Sequence, residues 1–252
     1  MYSSNKLEHN DVSQRELYSS YLRTAASWLK RIAISFLGIS VLVVLLLRWI
    51  HPPTTSFMLQ REFQAWQTGN KNFKLQYDWV DWNQISPHLK MAAITSEDQR
   101  FAYHWGLDLN SIQKAVNEYE KGQDLRGAST ITQQVAKNLF LWQDRTFIRK
   151  GIEAYFALLL ELLWSKKRIL EVYLNITEFG NGIYGVQAAS QKYFRTSAAK
   201  MSKFESALMV TALPAPRRYN LANPSSYMYQ RQRWVLRYMN LLGESYYLQK
   251  LK

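Results

Sequence analysis

From Ile32 the chain reads IAISFLGISVLVVLLL, with no charge through Leu47, and no other segment restricts the fold as much. A helix that is apolar on every side must be buried all round, inside a large core or inside a bilayer. The run falls slightly short of the ~20 residues of a spanning helix, but Arg48 extends it by snorkelling and Trp49 suits the lipid–water interface. A buried core helix is one alternative. A cleaved signal peptide is another, opposed by the long polar lead and by His51-Pro52-Pro53 in place of a small-residue cleavage site. The anchor reading is adopted. Arg23, Lys30 and Arg31 precede the span, which places the N-terminal arm in the cytoplasm and the bulk of the chain outside; Arg48 pulls weakly the other way.

The remainder is large enough for one good-sized domain: the chain has 252 residues, 47% hydrophobic and 14% aromatic, so it has the means to bury a core. The absence of cysteine excludes disulfides and thiolate metal sites. A formal net charge of +13 suits polyanions such as lipid headgroups or phosphorylated substrates. With the bulk of the chain outside the cytoplasm, nucleic acid is excluded as a partner. The spacing of apolar residues predicts helices over Pro87–Arg100, Ser111–Glu120, Ser129–Phe140, Arg149–Trp164, Lys167–Asn175, Gly185–Tyr193, Ser202–Leu213 and Tyr227–Leu242, and alternating strand patterns are scarce. The expected organisation is a cytoplasmic tail (1–31), a transmembrane anchor (32–50), a juxtamembrane linker (51–77) and an all-α domain (78–252).

Three stretches carry candidate chemistry. AAITSEDQRFAYHWG (Ala92 to Gly106) ends an apolar run on Glu97-Asp98, a place for a helix end or for a base in a partly dry pocket. In RGASTITQQVAKNLFL (Arg126 to Leu141), Thr130-x-x-Gln133 fits a capping box, and a helix N-terminus offers free N–H groups to anions. Thr130, Gln133, Gln134 and Lys137 fall on one face, either a solvated one or one whose amides and hydroxyls match a sugar. Lys137, Arg145, Arg149 and Lys150 then put cations within fourteen residues around a loop, which suits a pyrophosphate or an ordinary basic surface. Glu153 follows Arg149 by four residues, the spacing of a plain ion pair, and opens an otherwise uncharged run. Two carboxylates at the ends of apolar helices are the usual equipment for glycosyl chemistry.

These stretches resemble the signature motifs of the family-51 glycosyltransferases, the peptidoglycan transglycosylases. The likeness runs through Glu97-Asp98, Phe101, His104 and Gly106; Gly127, Ser129-Thr130, Gln133-Gln134 and Lys137-Asn138; and Arg149-Lys150 and Glu153. It continues through Lys167, Ile169-Leu170-Glu171 and Tyr173-Leu174-Asn175, then Gly182 to Val186, and finally Leu213-Pro214 and Tyr219-Asn220. Ala128 stands where many members have a second glycine. Ser197-x-x-Lys200 and Ser3-x-x-Lys6 spell a transpeptidase motif, but no K-T-G follows either, so the likeness is to the monofunctional members.

The resemblance implies a lysozyme-like helical domain that polymerises glycan strands from lipid II. The growing glycan on polyprenyl pyrophosphate would be the donor and the 4-hydroxyl of lipid II the acceptor, with inversion. Glu97 would be the general base, and Lys137, Arg145, Arg149 and Lys150 would neutralise the leaving pyrophosphate. Glu153 would orient those cations, or assist departure directly or through a divalent cation, Mg or Mn. Ser129, Thr130, Gln133, Gln134 and Asn138 would position sugar and phosphate. Asp98 and His104 would either touch substrate or serve as local scaffold, and Phe101 would be core. The implied location is the bacterial inner membrane with a periplasmic catalytic domain, and the implied partners are the bilayer and other cell-wall synthesis and division proteins. A wall-cleaving lysozyme-like enzyme and a non-catalytic assembly scaffold are the rivals.

Overall fold

The computed structural model describes residues 4–110, 113, 129–144 and 146–251, and side chains from residue 21 onward. The expected helix Ser111–Glu120, the Gly127-Ala128 break and Arg145 lie outside the described residues. The chain divides into two units, Met1–Leu46 and Leu47–Lys252. The first is helix α1, Ser4–Leu47, which runs unbroken from the polar lead into the apolar run. No proline interrupts it, and Gly38 is its one glycine. Its stretch Tyr21–Leu47, 27 residues, is long and apolar enough to cross a membrane.

The second unit is mainly helical: α2 (Ser56–Gln67), α3 (Pro87–Glu97), α4 (Ile131–Phe140), α5 (Phe147–Leu163), α6 (Lys166–Ile176), α7 (Val186–Ala189), α8 (Lys203–Met209), α9 (Ser226–Leu242) and α10 (Glu244–Leu248). The sequence marks most of the starts, because a hydroxyl precedes the first turn and accepts one of its free N–H groups. Thr55, Ser86, Thr130, Thr146, Ser165, Ser202 and Ser225 do this for α2, α3, α4, α5, α6, α8 and α9. α3 is buried on every side from Leu89 to Thr95 and packs against α6, α8, α9 and α10. α4 packs against α2, α5 and α6. The C-terminal end of α3 and the first turns of α4 therefore face one another between two groups of helices.

The segment 51–77, expected as a linker, belongs to the folded unit. Pro52-Pro53-Thr54 reads as a spacer, but Thr55 is a helix cap, α2 packs on α4, and Gln60 Nε2 donates to the Leu141 carbonyl at 2.9 Å. Gln76–Tyr77 then forms strand β1 of a three-stranded sheet of order β1-β3-β2, with β2 at Glu178–Gly180 and β3 at Ile183–Tyr184. β1 runs parallel to β3 and β2 antiparallel, with a register shift at Glu178/Gly180. Strands of two or three residues leave no alternation to read. The expected helix Gly185–Tyr193 is α7 followed by a π turn, and Ser202–Leu213 tightens into a 3-10 turn at Val210–Ala212.

Asn175, fully buried at the end of α6, joins these parts. Its side chain accepts from the Val80 N–H and donates to the Val80 carbonyl, both at 2.9 Å. Gly185 passes so close that a Cβ would lie 2.5 Å from the Asn175 carbonyl oxygen, and its φ is +81°. Asn175→Ala leaves both Val80 groups without these partners, so we expect a loss of about 1–3 kcal/mol, read as a lower midpoint in a denaturant melt of the detergent-solubilised chain.

Candidate active site

The last turn of α3 delivers Glu97 to the gap between the helix groups. Its Oε1 accepts from Ser96 Oγ at 2.9 Å and its Oε2 from Gln134 Nε2 at 3.0 Å. Gln134 is fixed in turn, since its Oε1 accepts from the buried Tyr173 hydroxyl at 3.3 Å. Burial pushes the Glu97 carboxyl up from its ordinary value of 4.5; the hydrogen bonds from Gln134 and Ser96 and the charge of Arg231 pull it back, and the Asp98 charge adds to the rise. A carboxylate held this way has a stronger appetite for a proton than one in water, as a general base requires.

Asp98, the next residue, has a different task. Both its oxygens lie 2.9 Å from His104 Nε2, and Oδ2 also accepts the Ile131 N–H at 3.0 Å, the first of α4. Thr130 and Gln133 form the capping box: the Thr130 N–H donates to Gln133 Oε1 at 3.0 Å and the Gln133 N–H to Thr130 Oγ1 at 3.1 Å. The Thr130 hydroxyl also donates to the Gly106 carbonyl at 2.5 Å. All four side chains are buried, and each of these hydrogen bonds ends on another group of the protein, so these contacts brace the junction of α3 and α4. Phe101 is core, with Lys166 Nζ 4.6 Å from its ring centre.

Glu153 is buried, its carboxylate divided between two cations of its own helix: Arg149 Nη1 donates to Oε2 at 2.6 Å and Lys150 Nζ to Oε1 at 2.5 Å. Lys150 Nζ also reaches Ser129 Oγ at 3.2 Å. Lys137, one turn beyond Gln134 on α4, feels both acids. Burial lowers its pKa, the Glu153 charge opposes that, Arg149 and Lys150 add to the lowering, and Glu97 opposes it least. Both Glu153 oxygens are occupied by cations, and among the described residues no three His, Asp or Glu side chains gather as ligands. With both Glu153 oxygens taken up, Arg149 and Lys150 present a donor set suited to an anion.

The two partners of the Glu97–Gln134 hydrogen bond line different cavities. One, of about 280 Å³, is lined by Ser96, Glu97, Asp98, Ser129, Thr130 and Trp234 among others. The other, of about 570 Å³, includes Gln134, Lys137, Asn138, Tyr184, Arg217 and Arg218. Thus Glu97, Ser129, Gln134, Lys137, Asn138, Arg149, Lys150 and Glu153 form a connected group, and Arg145 is not described. Sequence reasoning missed Arg217, Arg218, Arg231 and Trp234. Arg217 and Arg218 sit in a Pro-rich turn that reads as a loop, and nothing in the spacing of Arg231 and Trp234 points to α3.

With this geometry in place, a family model described as transglycosylase matches residues 65–240. The chain belongs to the transglycosylase family. It is 47% identical over 231 residues to a biosynthetic peptidoglycan transglycosylase of Stutzerimonas stutzeri, covering 92% of this chain and 95% of that relative. A protein of the same description from Pseudomonas savastanoi pv. phaseolicola is 50% identical over 212 residues, 84% of this chain and 89% of its own length. Another from Pseudomonas putida F1 is 46% identical over 230 residues, 91% and 97% of the two chains. The transglycosylase domain is a lysozyme-like glycosyltransferase domain, as the sequence motifs imply.

Two stability outcomes separate the neighbouring acids of this transglycosylase. A carboxyl whose pKa is raised by folding costs stability once the pH rises through the interval between its ordinary and folded values. Glu97→Gln removes that cost, so its melting midpoint at about pH 7.5 is expected at or above the parent's. Asp98→Ala strips the partner from buried His104 and from the Ile131 N–H, so a loss of about 2–4 kcal/mol is expected in the same melt.

Proposed function

We propose that the chain polymerises peptidoglycan glycan strands, taking the growing glycan from its polyprenyl pyrophosphate to the 4-hydroxyl of lipid II with inversion. The observation that carries this reading is the placement of a proton-hungry carboxylate, Glu97, one neutral amide away from the Lys137 cation, with Arg149 and Lys150 behind it. Glu97 removes the proton from the acceptor 4-hydroxyl. The hydroxyl oxygen attacks the donor anomeric carbon from the face opposite the leaving group, and the bond from that carbon to the pyrophosphate oxygen breaks. The electron pair leaves with the pyrophosphate, toward Lys137, Arg149 and Lys150, whose charges are already in position and need no reorganisation. On sequence grounds Arg145 joins them. Glu97 then returns its proton to solvent. Glu153 orients Arg149 and Lys150 through its two ion pairs. Ser129, Gln134 and Asn138 face the cavities and are assigned to sugar and phosphate.

Both substrates carry membrane-bound lipids, and an anchored enzyme meets them by confinement. α1 supplies a segment fit to span, and with Arg23, Lys30 and Arg31 before its apolar run we assign the N-terminus to the cytoplasm and the catalytic unit to the periplasmic side of the bacterial inner membrane. On α2, Leu59, Phe63 and Trp66 share one face and are exposed, as are Phe147 and Ile148 at the start of α5, at 96% and 75%. Such apolar surface suits a headgroup layer. In the segment Leu139 to Trp142 the two leucines are core, Phe140 is half-buried and Trp142 is exposed, so the tryptophan is the most available to lipid.

Incubating the detergent-solubilised chain with labelled lipid II tests the reading. Glycan strands with released polyprenyl pyrophosphate support it; muropeptides cut from preformed wall, or no chemistry at all, would overturn it. Glu97→Gln is expected to lower polymerisation by about 10²–10⁴-fold and Lys137→Met by about 10²–10³-fold. The rate of the parent chain is expected to fall with pH along a limb centred above the ordinary carboxyl value of 4.5, since protonation removes the base.

A further inference from the structure

α9 lies beyond the motifs named from the sequence, though within the matched range, and two of its side chains reach the end of α3 that carries Glu97. Arg231 Nη2 donates to the Ser96 carbonyl at 3.2 Å, and its guanidinium lies 4.1 Å from the centre of the Trp234 ring. Trp234 lines the same cavity as Ser96 and Glu97. The Ser96 carbonyl belongs to the last turn of α3, where carbonyls lack a partner within the helix. A cation there satisfies one of them and opposes the negative end of the helix dipole.

We propose that Arg231 is a positioning residue for the transfer reaction: seated on Trp234, it holds the Ser96–Glu97 end of α3 against α9 and sets a fixed positive charge beside the base. The proposal rests on Glu97 being the base. The other groups that face Glu97 are Ser96 and Asp98 on its own segment, Gln134 and Lys137 from α4, and Tyr173 from α6. Asp98 repels the carboxylate. Tyr173 and Gln134 are neutral, and Lys137 is drawn first to Glu153. Arg100, on the same cavity, is turned to Asp108 at 3.8 Å. Among the described residues, Arg231 is therefore the cation committed to this end of α3. Without it, burial acts on Glu97 with less opposition, and the base is lost to protonation at a higher pH.

The test is the pH profile of kcat and kcat/KM for lipid II polymerisation by the full detergent-solubilised chain. Arg231→Gln keeps an amide donor for Ser96 without the charge, Arg231→Met removes both, and Arg231→Lys keeps the charge. The charge-free variants are expected to move the acidic limb up by about half a unit or more, a loss of about three-fold below the limb that recovers toward high pH, while the lysine variant stays near the parent profile. A uniform loss at every pH, with the limb unmoved, makes Arg231 plain scaffold and overturns the proposal, as does failure of both charge-free variants to fold. Glu97→Gln run alongside separates the two readings. If it retains synthesis, the base assignment itself is wrong; if it is dead and the limb does not move in Arg231→Gln, only the role of Arg231 falls.

Discussion

The Asp98 carboxylate is the joint on which the site depends. It stands one residue past the end of α3 and accepts the first N–H of α4 at 3.0 Å, while His104 closes on it from the loop between. A buried carboxylate with charge-assisted partners on two sides is costly to displace. The end of one helix and the start of another are thereby fixed to each other. Glu97 is the residue before the joint, and Gln134 lies one turn into the second helix. Their hydrogen bond follows from that fixation, and so does the distance at which Lys137 stands behind Gln134. The capping box of Thr130 and Gln133 completes the arrangement by satisfying the remaining backbone groups at the same point.

A neutral amide between base and cations has a chemical consequence. Direct contact between Lys137 and Glu97 would make an ion pair, and an ion-paired carboxylate is a poor base. Gln134 donates to Glu97 without a charge and is itself held by Tyr173, so it holds the carboxylate in place with only a partial loss of basicity. The cations meanwhile remain concentrated near Glu153, where an anion can be received. Sequence order produces this separation, because Gln134 and Lys137 are three residues apart on one helical face.

The motifs mark local structure more plainly than they mark tasks. The helix-start hydroxyls and the Thr130-x-x-Gln133 box are local signals, and the helices begin where they stand. Whether a polar side chain faces a cavity or caps its own helix is decided by what packs beside it. For Asp98 and His104 the sequence left substrate contact and scaffold equally open, because the Ile131 N–H that Asp98 accepts lies on the far side of a loop. The region 51–77 was illegible for a related reason. Its prolines speak for a spacer, and its packing partner, α4, comes some seventy residues later. Arg231 is the extreme case: 135 positions separate it from Ser96, and no periodicity on α9 encodes that contact.

The two acids of the site show how far environment outweighs residue type. Glu153 sits between Arg149 and Lys150 and has both oxygens occupied by their donors. Glu97 is confined with hydroxyl and amide donors, a repelling neighbour and, among the described residues, the Arg231 guanidinium, so its charge is only partly compensated. In the proposed reaction one carboxylate organises cations and the other takes the proton. Exchange the donors around them and the tasks would exchange as well. The division of chemistry is therefore a property of the packing of α3, α4, α5 and α9, and it requires that Glu97 remain less well compensated than a stability-driven fold would leave it.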